Sequence, residues 1–104
     1  MLNLEWRPRA HLDRESIALY LGVECAAPQA ALRAMEKLDE AILRAREQPD
    51  MGGNFHFEEL DHKLYRTVQA SPYIIYYRYN DKTLTVYRIL HQRQEVTTYA
   101  LVDF

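Results

Sequence analysis

The sequence predicts an α+β two-layer sandwich of order β-α-α-β-β-β, in which a helical hairpin packs on a mainly antiparallel sheet. Three observations predict it. The chain opens on a period-two alternation at 2–7, continues through two segments with apolar residues at helical spacing, and changes beyond Gly52-Gly53 to runs rich in Tyr, Ile, Val and Thr separated by turn residues.

Leu2, Leu4 and Trp6 alternate with Asn3, Glu5 and Arg7, the pattern of a half-buried strand. Pro8 stops it and suits the first turn of a helix, where its missing N–H costs nothing. From Arg9 to about Leu21 the spacing is helical: Ala10, Ile17 and Leu21 share a stripe bordered by Asp13 and Tyr20. Gly22 is the expected end, with Val23 to Ala27 as a short helical or irregular connection. Pro28 opens a second helix, and residues 29–47 are strong helix formers. Met35, Leu38, Ile42 and Ala45 fall on one face, and Arg33, Glu36, Lys37, Glu40, Arg44 and Glu47 mainly on the other. Two such helices with a short connection read as an antiparallel αα-hairpin. The run Gln48-Pro49-Asp50-Met51-Gly52-Gly53 then breaks the helix.

Phe55 to Leu60 reads as a short strand or an extended arm, and Leu64 to Ala70 as a better strand. Ser71-Pro72 makes a turn before Tyr73-Ile74-Ile75-Tyr76-Tyr77-Arg78-Tyr79, which is dense in β-formers. Asn80-Asp81-Lys82 is a hairpin turn, because Asn and Asp tolerate left-handed backbone. Thr83 to Leu90 returns as a strand. The tail from Arg93 to Phe104 either extends the sheet or packs as a short helix.

At 104 residues the chain is expected to form a single domain, 1–104, with a core that needs no staples. Apolar residues at 48% and charged residues at 27% argue against disorder. The single cysteine, Cys25, cannot form an internal disulfide and fits a reducing compartment. No apolar run approaches the ~20 residues of a membrane span, and Glu5, Arg7 and Arg9 interrupt any leader-like segment. A cytoplasmic location and no membrane partner are expected. The net charge of −2 argues against direct nucleic-acid binding, which draws its affinity from phosphate contacts.

The landmarks resemble those of the ParE/RelE toxin superfamily of type II toxin–antitoxin systems. Leu4-Glu5-Trp6 followed by Ala10, Asp13, Ile17 and Tyr20 is similar to the family's opening strand and first helix. Leu38, Ile42, Pro49 and Gly52 match its second helix and the loop after it. Arg66, then Tyr73-Ile74-Ile75-Tyr76-Tyr77, then Val86-Tyr87-Arg88-Ile89-Leu90-His91 match its closing sheet. RelE-like members resemble metal-free ribonucleases acting on ribosome-bound mRNA, whereas ParE-like members are described as poisons of DNA gyrase and lack the ribonuclease residues. The ending Leu90-His91-Gln92-Arg93-Gln94 is closer to the ParE branch. That branch implies a gyrase inhibitor with no catalytic residues and no cofactor, held silent in a hetero-oligomer by a cognate, ParD-like antitoxin.

The residue chemistry bears on the choice. Metal-free RNA cleavage needs a base, an acid and cations around the phosphate. A ribonuclease would draw these from Arg66, His91, Arg93 and Tyr99, with Arg78 and Arg88 as further cations whose sheet faces the sequence leaves open. The segment before Arg66, His56-Phe57-Glu58-Glu59-Leu60-Asp61-His62-Lys63, carries carboxylates that repel phosphate and one lysine. Contacts to a target or antitoxin are therefore expected from Arg66, Arg78, Arg88, His91 and Arg93. The tyrosines also fit plain sheet building, His91 a backbone hydrogen bond, and Arg66 an ion pair with Glu58 or Glu59. His56, Glu58 and His62 match no familiar metal spacing, so no metal is expected.

Overall fold

The computed structural model describes residues 1–56 and 64–94. In chain order it has β1 (Asn3–Trp6), α1 (Pro8–Leu19), α2 (Pro28–Glu47), β2 (Gly53–His56), β3 (Leu64–Ala70), β4 (Tyr73–Tyr79) and β5 (Thr83–His91). The strands form one sheet of order β1-β5-β4-β3-β2. β1 runs parallel to β5, and the other three pairings are antiparallel. The expected sandwich, a helical hairpin on a mainly antiparallel sheet, is the fold the chain adopts.

Burial follows the apolar spacing. Leu38, Ala41, Ile42 and Ala45 of α2 and Ala10 of α1 pack on Ile75, Tyr77, Leu84, Val86 and Ile89 of the sheet. Leu4, Trp6, Met35 and Val68 close the margin of this core. Each fully buried aliphatic side chain contributes about 1.5–3 kcal/mol relative to exposure, so the shared stripe is what holds the two layers together. Arg14 Nη2 donates to Asp39 Oδ1 at 2.9 Å, joining α1 to α2. Arg46 Nε donates to the Leu2 carbonyl at 2.8 Å, tying the end of α2 to the first strand.

Two boundaries differ from the sequence expectation. The α-helical part of α1 ends at Leu19, and Tyr20–Glu24 forms a π-helical turn instead of a stop at Gly22. The wider turn is closed by Cys25 N donating to Tyr20 O at 2.9 Å and by Ala27 N donating to Leu21 O at 2.9 Å. Gly22 instead lies on α2, where an added Cβ would meet Ala31 Cβ at 3.7 Å. The residue that takes the left-handed conformation is Ala26, at φ 48°.

The second difference is β2, which begins at Gly53, ahead of the expected Phe55. Gly53 pairs with Thr67, and a Cβ there would sit 2.9 Å from Thr67 Oγ1, so a residue without a side chain permits the pairing. The expected extension over 57–60 lies outside the described residues.

The β4–β5 turn falls at Asn80-Asp81-Lys82 as expected, but not through left-handed backbone, since among the described non-glycine residues only Ala26 has a positive φ. Asn80 Oδ1 accepts from Lys82 N and Thr83 N, both at 2.8 Å, so the side chain itself closes the turn. The Ser71–Pro72 peptide in the β3–β4 turn is cis. Further along, Tyr76 faces Arg88 but Tyr77 faces Val86, so β5 carries one extra residue, a bulge at Tyr87.

Candidate functional site

The cations of the sheet meander do not converge. Arg66 on β3 pairs with Tyr77 on β4 and shares its helix-facing side, because paired residues of an antiparallel ladder project to the same face. Its Nη1 donates to the carbonyls of Asp50, at 3.0 Å, and Gly52, at 3.1 Å. Its guanidinium also lies 5.8 Å from the Tyr79 ring centroid. Arg66 thus clamps the loop that follows α2.

Arg78, one residue beyond Tyr77, projects to the opposite face of the sheet. There its guanidinium is 5.8 Å from the centroid of Tyr65, and the rings of Tyr65 and Tyr87 meet edge-on at 5.3 Å. Arg7 lies 5.7 Å from the Tyr87 centroid and completes a row across the outer face in which two cations flank two rings. The alternation at 2–7 placed Arg7 on the polar side of its strand, yet nothing in the sequence paired it with Tyr87. Arg78, Thr83, Thr85 and Tyr87 surround a polar recess of about 240 Å³ at the base of the β4–β5 hairpin.

Arg88 is 7% exposed. Its Nε donates to Asp13 Oδ2 at 2.7 Å and its Nη2 to Asp13 Oδ1 at 3.1 Å. Asp13 Oδ2 also accepts from Ile89 N at 2.9 Å, where β5 runs on past its last pair with β1. The sequence placed Asp13 at the border of a helix stripe and did not pair it with Arg88.

His91 ends β5. Its Nδ1 accepts from Arg93 N at 3.1 Å, so the ring holds the turn that follows and Nδ1 is engaged as an acceptor. The ring meets Tyr73 edge-on at 5.8 Å. Arg93 is exposed. His91, Tyr73, Tyr20, Ser16 and Ile17 border a shallow recess of about 230 Å³ beside the end of α1.

Burial raises the hydroxyl pKa of Tyr65, Tyr73, Tyr76 and Tyr77 above the ordinary 10.0. Arg78 and Arg7 oppose the rise at Tyr65, and Arg66 opposes it at Tyr77. The Tyr20 hydroxyl is raised by its hydrogen bond with Cys25. Hydroxyls so shifted stay protonated near neutrality and donate hydrogen bonds; none is tuned toward a base.

Among the described residues, then, Arg66, Arg78, Arg88 and His91 occupy separate places and assemble no common acid–base–cation centre. Tyr99, Glu58, Glu59 and His62 lie outside the described residues, as does the side chain of His56. No group of three or more His, Cys, Asp or Glu among the described residues could hold a metal ion. No described helix is long and apolar enough to cross a membrane.

Comparison with known proteins gives consistent results. The family model for the ParE toxin of the type II toxin–antitoxin system parDE matches residues 4–96. Nine chains of solved structures match significantly. One of them, from the chromosomal ParDE toxin–antitoxin system of P. aeruginosa, superposes with a TM-score of 0.64 at 22% identity, covering 88% of this chain and 96% of its own. That likeness is one of fold. No protein of curated function matches significantly.

Proposed function

The chain belongs to the ParE toxin family of type II toxin–antitoxin systems, and from that premise we propose that it acts in the cytoplasm as a non-catalytic inhibitor of DNA gyrase. A cognate antitoxin silences it in a hetero-oligomer. The observation that carries the reading is the family match over 4–96, which takes in every described strand and helix that positions the meander's cations.

The geometry supports a binding role over an enzymatic one. Arg66 and Arg88 spend their hydrogen bonds on the chain itself, and His91 has its Nδ1 in a turn. Among the described residues, the meander's cations left to meet another molecule are Arg78, beside Arg7 on the outer face, and Arg93 at the end of the sheet. The carboxylates of Glu58, Glu59 and Asp61 in the sequence before Arg66 weigh against bound RNA. A RelE-like ribonuclease has no observation here in its favour.

A supercoiling assay with purified gyrase tests the target. Inhibition or trapped cleavage complexes at stoichiometric toxin are expected, and unchanged supercoiling at large excess would remove gyrase as the target. Primer extension on translated mRNA serves as the counter-assay, with no new cuts within codons expected. Growth arrest on expression, relieved by co-expressing the product of an adjacent small reading frame, tests the antitoxin.

A further inference from the structure

The chain leaves β5 through a turn that His91 closes with its own ring. Nδ1 accepts from Arg93 N at 3.1 Å, and three further bonds hold the same short stretch. His91 N donates to Gln94 Oε1 at 2.6 Å. Gln94 N donates to the His91 carbonyl at 2.9 Å, and Gln92 N to the Pro72 carbonyl at 2.8 Å. Three of these acceptors are amide oxygens, which keep their lone pairs near neutrality. The fourth is an imidazole nitrogen, which accepts only while the ring is neutral and carries its proton on Nε2. An imidazole changes its charge between about pH 5 and 8. Once it has done so, Nδ1–H and Arg93 N–H are two donors facing each other.

The groups around the ring do not relieve that conflict. From β4, Tyr73 pairs with His91 and meets its ring edge-on at 5.8 Å. From α1, Ser16 and Tyr20 share with it the shallow recess of about 230 Å³, together with Ile17 and with Ile89 of β5. From the π-helical turn, Cys25 and Glu24 act on the Tyr20 hydroxyl, and Cys25 also on that of Tyr73. Both hydroxyls are raised above 10.0 and stay protonated while an imidazole titrates. On its own segment His91 has Gln94 and the exposed Arg93. No carboxylate is among the described residues lining the recess. The ion pairs among the described residues join Arg14 to Asp39, Arg88 to Asp13 and His11 to Glu15. A proton gained by His91 therefore sets a second cation beside Arg93, with no described carboxylate paired to it.

We propose that this turn is a pH-sensitive switch: protonation of His91 expels the Arg93 amide from Nδ1 and re-aims the Arg93 peptide. The Gln92 and Gln94 bonds hold the strand end in place while it does so. The neutral ring closes the turn and presents Arg93 in one direction; the charged ring opens it. The switch operates whatever the target of the toxin, and its failure leaves the gyrase reading where it stands.

NMR of the full-length protein tests it. At about pH 8 the ring nitrogens of His91 should show the Nε2–H tautomer, and the Nδ1–H tautomer overturns the proposal. From about pH 8 to about pH 5 the Arg93 amide shift should follow the His91 ring with the same midpoint. Its temperature coefficient should pass from that of a bonded amide to that of a free one, while the Gln92 amide stays bonded. An Arg93 amide that stays put, or follows another midpoint, overturns the proposal. His91→Asn supplies an acceptor that does not titrate, because an Asn side chain bonds the backbone N–H two residues on. There the Arg93 amide should stay bonded across the range. His91→Phe keeps a ring against Tyr73 without an acceptor, and there the amide should be free throughout. Glu24→Gln should leave the titration as it is in the unaltered protein. An amide that still titrates in His91→Asn, stays bonded in His91→Phe or ceases to titrate in Glu24→Gln overturns the proposal. Should a substitution fail to fold, the titration of the unaltered protein decides alone.

Discussion

Asp13 serves two kinds of donor at once, the guanidinium of Arg88 and the backbone N–H of Ile89, and it does so where β5 has outrun β1. Removing the carboxylate takes the ion-pair partner Asp13 from a cation that is 7% exposed, and the acceptor from a backbone donor. Asp13→Ala should therefore cost about 3–5 kcal/mol in urea denaturation, because a buried charge loses the carboxylate that balances it. Arg88→Met should cost less, since Asp13 keeps the Ile89 bond and the replacement stays apolar. The double variant should be more stable than Asp13→Ala alone; a double variant worse than both singles would refute this account of the pair. Gly52 makes a comparable case by shape. Its φ of −66° suits any residue, but a Cβ would collide with the Tyr77 hydroxyl and lie 2.9 Å from the Thr67 carbonyl. That hydroxyl donates to the Pro49 carbonyl at 2.7 Å. Tyr77→Phe should cost about 1 kcal/mol and Gly52→Ala about 1–3 kcal/mol. Combined, they should cost less than their sum, because the first change removes one of the atoms the second strikes. Thermal unfolding of the four proteins measures the coupling.

At the scale of elements, what was legible in the sequence was local. The stripe of α2 and the alternation of β1 follow from side-chain spacing, and both stand as read. The β4–β5 turn lies where it was expected, but the Asn80 side chain closes it, not left-handed backbone. The end of α1 was not legible, because the π-helical turn Tyr20–Glu24 depends on how Gly22 meets Ala31 of another helix. The role of Arg88 was hidden for a related reason. A bulge at Tyr87 shifts the count of faces by one, and the bulge is visible only in the pairing with β4. Arg66 found backbone carbonyls among the described residues, and carbonyls leave no trace in a sequence pattern. The turn that ends this helix also carries a testable strain. Ala26 holds φ 48°, a conformation that costs a residue with a Cβ about 1 kcal/mol more than glycine. Ala26→Gly should raise stability by roughly 0.5–1 kcal/mol, read as a higher urea midpoint at unchanged slope. A lower midpoint would mean that the turn relaxes to another conformation in solution.

Over the whole molecule the tyrosines do the work that leucine or isoleucine does in other sheets, and this gives the fold a pH limit of its own. Tyr65, Tyr76 and Tyr77 are buried on the two faces of one sheet, and burial is the largest cause of the upward shift of each hydroxyl from 10.0. A raised pKa in an acid of this kind means that the folded protein keeps a proton the unfolded chain releases. Below about pH 10 both states are protonated and the full stability is present. Above it the unfolded chain binds fewer protons, so stability falls as pH rises through the interval between the unfolded and folded values. Each tyrosine contributes a slope of up to about 1.4 kcal/mol per pH unit while it is ionised only in the unfolded state. The urea midpoint should accordingly hold steady from about pH 7 to 9 and drop steeply above about pH 10. Tyr76, whose shift has burial as its sole cause, offers the cleanest control. Tyr76→Phe should leave the region below about pH 9 flat, though about 1 kcal/mol lower for the lost hydroxyl contacts, and lessen the alkaline slope by up to one tyrosine's share. An unaltered slope in Tyr76→Phe would show that this ring is reached by water in solution, and with it the sheet face on which it lies.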